Sequence, residues 1–250
     1  MDWLDIIIVV GAGFAAGFIN TLAGGGSLIA LSVLIFMGLP PAVANATNRV
    51  AVFSQNVFGV LGFRSKGISS FRFGLWLGIS ALLGAIIGAK IAVDISGDLF
   101  NKLLAVIMLI VVALIIFNPN KKNTEAIERL DTKHKAISIG FFFLIGIWGG
   151  FIQAGVGFLI IAVLSTVNRF SLVKSNSVKV FVILFYTIAA LVVFIWEGKI
   201  NWAYGLVLAI GNSLGAWIAS RWSVEKGDRW VKIFLLVIVV LIAIRLWFFS

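Results

Sequence analysis

Cysteine is absent from these 250 residues, and histidine occurs once. The first absence excludes disulfides and thiolate metal sites. The lone His134 stands in a polar stretch, so no histidine cluster is available for a metal or a proton relay. Acid is scarce as well. Ten Asp and Glu face twenty Lys and Arg, and none of the ten lies in the interior of an apolar segment. The carboxylate chain that usually carries protons through a membrane is therefore missing. The same lack of intramembrane Asp, Glu, His and Cys speaks against a cation or metal transporter. With no nucleophile–base pair, histidine cluster or intramembrane acidic pair, the chain is not expected to be an enzyme. No nucleotide-binding motif occurs, and no cofactor or metal is implied.

Apolar residues are what the chain has in excess: 61% of it is hydrophobic, 12% is charged, and mean hydropathy is +1.12. A soluble domain of this length cannot bury so much apolar surface. Segment after segment approaches the ~20 residues a bilayer crossing needs. The reading is an all-α polytopic membrane protein with the lipid bilayer as its solvent. The first residues, Met-Asp-Trp-Leu-Asp, lack a basic n-region, so the first segment is expected to be a retained span. The net charge of +10 sits in short loops, where it encodes orientation and not nucleic-acid binding.

Apolar segments run at roughly 3–22, 27–38, 42–63, 73–93 and 99–117, then at 136–154, 156–168, 173–196, 202–220 and 229–248. That is five in each half, and the second of each five is too short to span comfortably. The halves share anchors: Gly84…Gly88-Ala with Gly211…Gly215-Ala, Gly97-Asp98 and Lys102 with Gly227-Asp228 and Lys232, and Thr47-Asn48-Arg49-Val50 with Ser177-Val178-Lys179-Val180. We read two repeats, 1–117 and 136–250, joined by a cytoplasmic connector at 118–135. An odd number of segments per repeat gives them opposite orientations. With the N-terminus outside, fourteen of the twenty Lys and Arg fall in the inner loops 64–72, 118–135, 169–174 and 221–232, as the positive-inside rule requires. Both termini are then extracytoplasmic, and the location is the cell (inner) membrane.

Each half contains a glycine-broken segment, Asn20-Thr-Leu-Ala-Gly24-Gly25-Gly26-Ser27 and Gln153-Ala-Gly155-Val-Gly157. Paired breaks at matching places in two halves point to a transporter's binding site. Backbone groups freed by a break must be buried in protein or line a wet cavity. The helix that follows presents free N–H groups and a positive dipole end to an anion. Ser27 is placed to cap the first such helix. The alternative is a tight turn or packing notch, and packing is the expected role of the Gly84/Gly88 and Gly211/Gly215 pairs.

Two cations lie inside spans, Arg49 and Lys179. Arg49 sits eight residues past Pro41, or about 12 Å of helix. With no intramembrane carboxylate, a bound anion is its natural partner, and backbone carbonyls at a broken helix are the alternative. Lys179 is placed either for the anion or for snorkelling to the interface. Asn20 and Gln153 hold matching places before the breaks, followed in interest by Asn48 and Asn176. Asn45, Thr47, Gln55, Ser177 and Asn212 are further polar neighbours. The candidate substrate-binding set is Asn20, Gly24, Gly25, Gly26, Ser27, Asn48, Arg49, Gln153, Gly155, Gly157, Asn176 and Lys179.

With Asn20, the glycine loop, Ala44-Asn-Ala-Thr47-Asn48-Arg49 and Gly150…Gly157 in view, the chain resembles the sulfite exporter TauE/SafE family, also called the 4-toluene sulfonate uptake permease family. The likeness runs through Gly205-Leu-Val-Leu-Ala-Ile-Gly211-Asn-Ser-Leu-Gly215-Ala to the last span. The resemblance implies a small anionic substrate, such as sulfite, a sulfonate or another sulfur-containing organic anion. In the family pattern the residue after Thr-Asn is usually Lys, and this chain has Arg49; Arg keeps the charge and adds a planar fork. The resulting expectation is a secondary transporter, an exporter working by alternating access at a mid-membrane site. A passive channel or a coupled importer would use the same residues, and saturation and counterflow separate carrier from channel. A homodimer is left open.

Overall fold

A computed structural model of the chain describes residues 1–69, 71–93 and 128–249, with the isolated positions 95, 99, 102 and 103. The expected segment at 99–117, the anchor Gly97-Asp98 and most of the connector lie outside the described residues. Among the described residues the secondary structure is helical, in eight helices: α1 (Trp3–Leu22), α2 (Gly26–Phe36), α3 (Pro41–Ser65), α4 (Phe71–Val93), α5 (Thr132–Phe151), α6 (Val156–Thr166), α7 (Leu172–Trp196) and α8 (Trp202–Phe249).

Five of these are long and apolar enough to cross a membrane: α1, α4, α5, α7 and α8 over Trp202–Phe234. Their outward faces carry apolar side chains at helical spacing. Ile79, Leu83, Ile87 and Ile91 on α4, and Leu206, Ile210, Leu214 and Ile218 on α8, are all exposed. Such a face suits lipid. α3 has the length to span, 25 residues, but its Asn45, Thr47, Asn48 and Arg49 make it less apolar, and all four are buried inside the protein. α2 and α6 have 11 residues each. At 1.5 Å per residue each is about 16 Å long, roughly half the hydrocarbon thickness.

Glycine and proline punctuate these elements. α1 stops where Gly24 turns to φ +106° and its N–H reaches Ile19 O at 3.2 Å. Pro41 opens α3 at its first helical position, where its missing N–H is not needed. α5 stops at Ile152, which is extended, and Gly155 caps α6 in the left-handed region at φ +75°. The basic loop expected at 221–232 is instead helix. Arg221 to Lys226 contains no glycine or proline, so α8 continues to Gly227, whose φ of +74° and ψ of −179° break it. Asp228, just past the break, accepts the Leu172 and Val173 N–H groups at 2.8 and 2.9 Å. Those donors open α7 and have no intrahelical partner. Asp228→Ala is expected to cost about 1–2 kcal/mol, read as a lower unfolding temperature of the detergent-solubilised protein.

Packing is reciprocal between the two halves. α1 lies on α8 as α5 lies on α4, and α3 lies on α8 as α7 lies on α4. Small residues set the close approach. A methyl group at Gly211 or Gly215 would fall 2.1 or 2.2 Å from the Val10 or Phe14 carbonyl on α1. One at Gly84 or Gly88 would meet Phe143 or Ile147 on α5 as closely. The Gly-xxx-Gly pairs are therefore helix-packing faces.

Candidate functional site

The two breaks touch. A Cβ built on Gly24 would lie 2.4 Å from the Gly157 Cα, and one built on Gly157 would lie 2.3 Å from the Gly24 Cα. Around this crossing meet the C-terminal ends of α1 and α5, the N-terminal ends of α2 and α6, and polar stretches of α3 and α7. Gly25 is the N-cap residue of α2, and Gly26 packs on α1 against the Ala16 carbonyl.

Each intramembrane cation sits on the broken helix of the other half. Arg49, fully buried, donates through Nη1 to the Gly149 carbonyl and to Gln153 Oε1 at 2.7 Å. Its Nη2 donates to the Gly150 carbonyl at 3.0 Å, with the Phe151 carbonyl and Asn45 Oδ1 at 3.4 Å. Asn45 Nδ2 donates to the same Phe151 carbonyl at 2.8 Å. The guanidinium thus closes the C-terminal end of α5, which bears the negative end of the helix dipole. The Phe194 ring lies 5.7 Å from the Arg49 Cζ. Across the crossing, Lys179 Nζ donates to the Thr21 carbonyl at 2.9 Å and to Asn176 Oδ1 at 2.7 Å. Asn176 Nδ2 donates to the Leu22 carbonyl at 3.0 Å. An amide and a cation on one turn of α3 therefore hold the end of α5, and their counterparts on α7 hold the end of α1.

Arg49 accordingly has a protein partner in this conformation. The sequence left that place to a bound anion, with carbonyls of a broken helix as the alternative, and the carbonyls occupy it. Lys179 does not snorkel; its side chain is fully buried and bonded inward. Ser27 does not cap α2. It lies within the first turn, and its Oγ accepts from Asn20 Nδ2 at 3.2 Å. Asn20 also reaches Gln55 Oε1 at 3.2 Å, which Asn212 Nδ2 approaches at 3.4 Å.

Asn48 is different. It is wholly buried, and neither its Oδ1 nor its Nδ2 has a hydrogen-bond partner among the described residues. The Arg49 Nε beside it is also unpartnered. Buried amides without partners are rare because each lost bond carries a desolvation penalty. Asn48 lies seven residues before Gln55, two turns away on the same face of α3.

Of the predicted residues, Gly24 and Gly157 meet at the crossing, Arg49 bonds to Gln153, Asn20 to Ser27 and Lys179 to Asn176, while Asn48 bonds to none of them. One member of the network was not foreseen: Tyr186, buried, donates to Gln153 Oε1 at 3.0 Å and packs against Gly149. It lies seven residues after Lys179 on α7, and a lone tyrosine in that apolar span was the available signal. Among the described residues no three His, Cys, Asp or Glu side chains group as for a metal ion.

Comparison with known proteins agrees with the architecture. The chain is 27% identical over 239 residues to the probable membrane transporter protein ORF9 of Sinorhizobium sp., covering 94% of this chain and 89% of that one. It is 26% identical over 232 residues to a probable membrane transporter protein of Haemophilus influenzae, covering 93% and 89%. It is 25% identical over 235 residues to the probable membrane transporter protein YfcA of Escherichia coli K12, covering 92% and 85%. No solved structure matches. The family model for the sulfite exporter TauE/SafE matches residues 9–246, nearly the whole chain. On its sequence and its helical membrane architecture, the chain belongs to the TauE/SafE sulfite exporter family.

Proposed function

We propose that the protein is a secondary transporter that exports a small anion of the sulfite and sulfonate class across the cell membrane. The observation that carries this reading is the wholly buried Asn48 amide, unpartnered on both atoms, beside the unpartnered Nε of Arg49. An oxyanion accepts from Asn48 Nδ2, Arg49 Nε and the free N–H groups opening α2 and α6. Gln153, which accepts from Arg49, holds the guanidinium in place, and Asn20 is bonded to Ser27 in the first turn of α2. The loop charges and the reciprocal packing support two inverted repeats, with both termini extracytoplasmic. Rocking of one repeat against the other then exposes the crossing to each side in turn. The family's name and the transporter names of its relatives support the reaction class.

Membrane potential supplies the direction. At 100 mV, inside negative, each negative charge moving outward gains about 2.3 kcal/mol. Proteoliposomes loaded with thiosulfate, a dianion, test this under imposed diffusion potentials. Efflux is expected to saturate, to show counterflow, and to quicken when the interior is negative. A rate indifferent to the sign of the potential overturns electrogenic export, and a lack of saturation and counterflow identifies a channel.

A further inference from the structure

We propose that Asn48 selects an anion that carries its own hydrogen-bond donor, such as a sulfonate bearing a hydroxyl or an amine. This inference rests on the anion-transporter reading and deepens it by narrowing the substrate class. It starts from the two atoms of one amide. Asn48 Nδ2 is a donor and Asn48 Oδ1 an acceptor, and both are buried without a hydrogen-bond partner among the described residues. The stretch 103–117, outside the described residues, contains no hydroxyl, amide or charged side chain to serve as one.

Helix geometry places Asn48 between the two breaks. Residues three and seven apart share a face of a helix. Asn45, three residues before Asn48, donates to the Phe151 carbonyl at 2.8 Å, at the end of α5. Gln55, seven residues after it, accepts from Asn20 at 3.2 Å, in the last turn of α1. The face of α3 that carries Asn48 is therefore tied to both broken helices. Arg49, the next residue, is held on the end of α5 by Gln153 and the Gly150 carbonyl.

The fold does not require this amide. In the second half, Ser177-Val178-Lys179 matches Thr47-Asn48-Arg49, so Val178 holds the corresponding place. Val178 is buried too, in an apolar cluster with Val52, Ile160 and Val182. With that valine, α7 still clamps the end of α1 as α3 clamps the end of α5. Asn48 is thus dispensable for the clamp, although an unpaired buried amide destabilises the protein that holds it. The chemistry of its two atoms defines what relieves this. A sulfonate or sulfite oxygen accepts from Nδ2. An oxyanion without hydrogen has nothing to donate to Oδ1, and its own oxygens repel that atom. An O–H or N–H on the same molecule donates to Oδ1 and completes the amide. Such a site rejects an analogue lacking the donor, because the buried acceptor is then left unpaired.

Isethionate, a hydroxyethyl sulfonate, and propanesulfonate form a matched pair, with a hydroxyl in one where the other has a methyl. Isothermal titration of each into the purified full chain reads the difference. The wild type is expected to bind isethionate about tenfold more tightly. Asn48→Val gives the first half the residue of the second. It is expected to bind the two sulfonates with equal affinity. Its melting temperature without ligand is expected to equal or exceed that of the wild type, because an apolar side chain replaces an unpaired buried amide. An amide with a merely structural role gives the reverse, a lower melting temperature. A wild type without the preference overturns the proposal, as does a preference that survives in Asn48→Val or a destabilised Asn48→Val. If the wild type binds neither sulfonate and no thiosulfate, the anion-transporter reading itself falls, and this inference with it.

Discussion

Arg49→Ala is expected to abolish anion binding and to destabilise the protein by about 3–5 kcal/mol, the cost of removing one member of a buried charged network. Both effects have one cause. The guanidinium satisfies the Gly149 and Gly150 carbonyls and Gln153 at the end of α5, and its Nε has no hydrogen-bond partner among the described residues. Alanine leaves those carbonyls buried and unpaired, at about 1–3 kcal/mol for each group that water does not reach. Arg49→Lys separates fold from function. A lysine keeps the charge at the helix end but replaces the planar fork by a point charge with no donor at the Nε position. It is expected to remain folded, with anion affinity lowered about tenfold, the loss of one charge-assisted hydrogen bond. Thermal-shift titration with sulfite and thiosulfate measures both quantities. A wild-type ligand shift in Arg49→Ala defeats the site assignment.

The second large effect is expected at the crossing. Gly24→Ala suffers twice: its φ of +106° disfavours any side chain, and the new methyl would lie 2.4 Å from the Gly157 Cα. Strain of this kind costs about 1–3 kcal/mol, and relieving the clash requires moving backbone against backbone. Gly157→Ala meets the same wall from the other segment, 2.3 Å from the Gly24 Cα, where no positive φ is involved. Gly38→Ala supplies the opposite control, with φ +88° and nothing within 4 Å of the new methyl. Gly24→Ala and Gly157→Ala are expected to give little monodisperse protein on size exclusion, while Gly38→Ala is expected to fold with a slightly lower melting temperature. Equal behaviour of Gly24→Ala and Gly38→Ala would show that the two breaks do not meet.

Much of the architecture was legible because it depends on local quantities. The five long spans, the two 11-residue helices and the glycines that end α1 and open α6 all follow from hydropathy and backbone freedom within short windows. The boundary missed at 221–232 shows the limit of that reading. Positive charges there suggested a loop, but charge sets which side of the membrane a segment occupies, not whether it is helical, and only Gly227 breaks α8.

The sequence by itself determined that this chain lives in a membrane, that it carries two cations without intramembrane carboxylates, and that a glycine break precedes each cation at similar spacing. Only the tertiary structure decided what those cations hold. Arg49 reaches carbonyls about a hundred residues away, and Lys179 reaches one 158 residues away. Such pairings depend on how α1 and α5 end against α7 and α3. A window of sequence contains no information about which helix end will arrive opposite a given side chain. The physical reason for the outcome is the low dielectric of the interior: a buried cation and a frayed helix end each lack a partner, and packing the halves crosswise gives each the other.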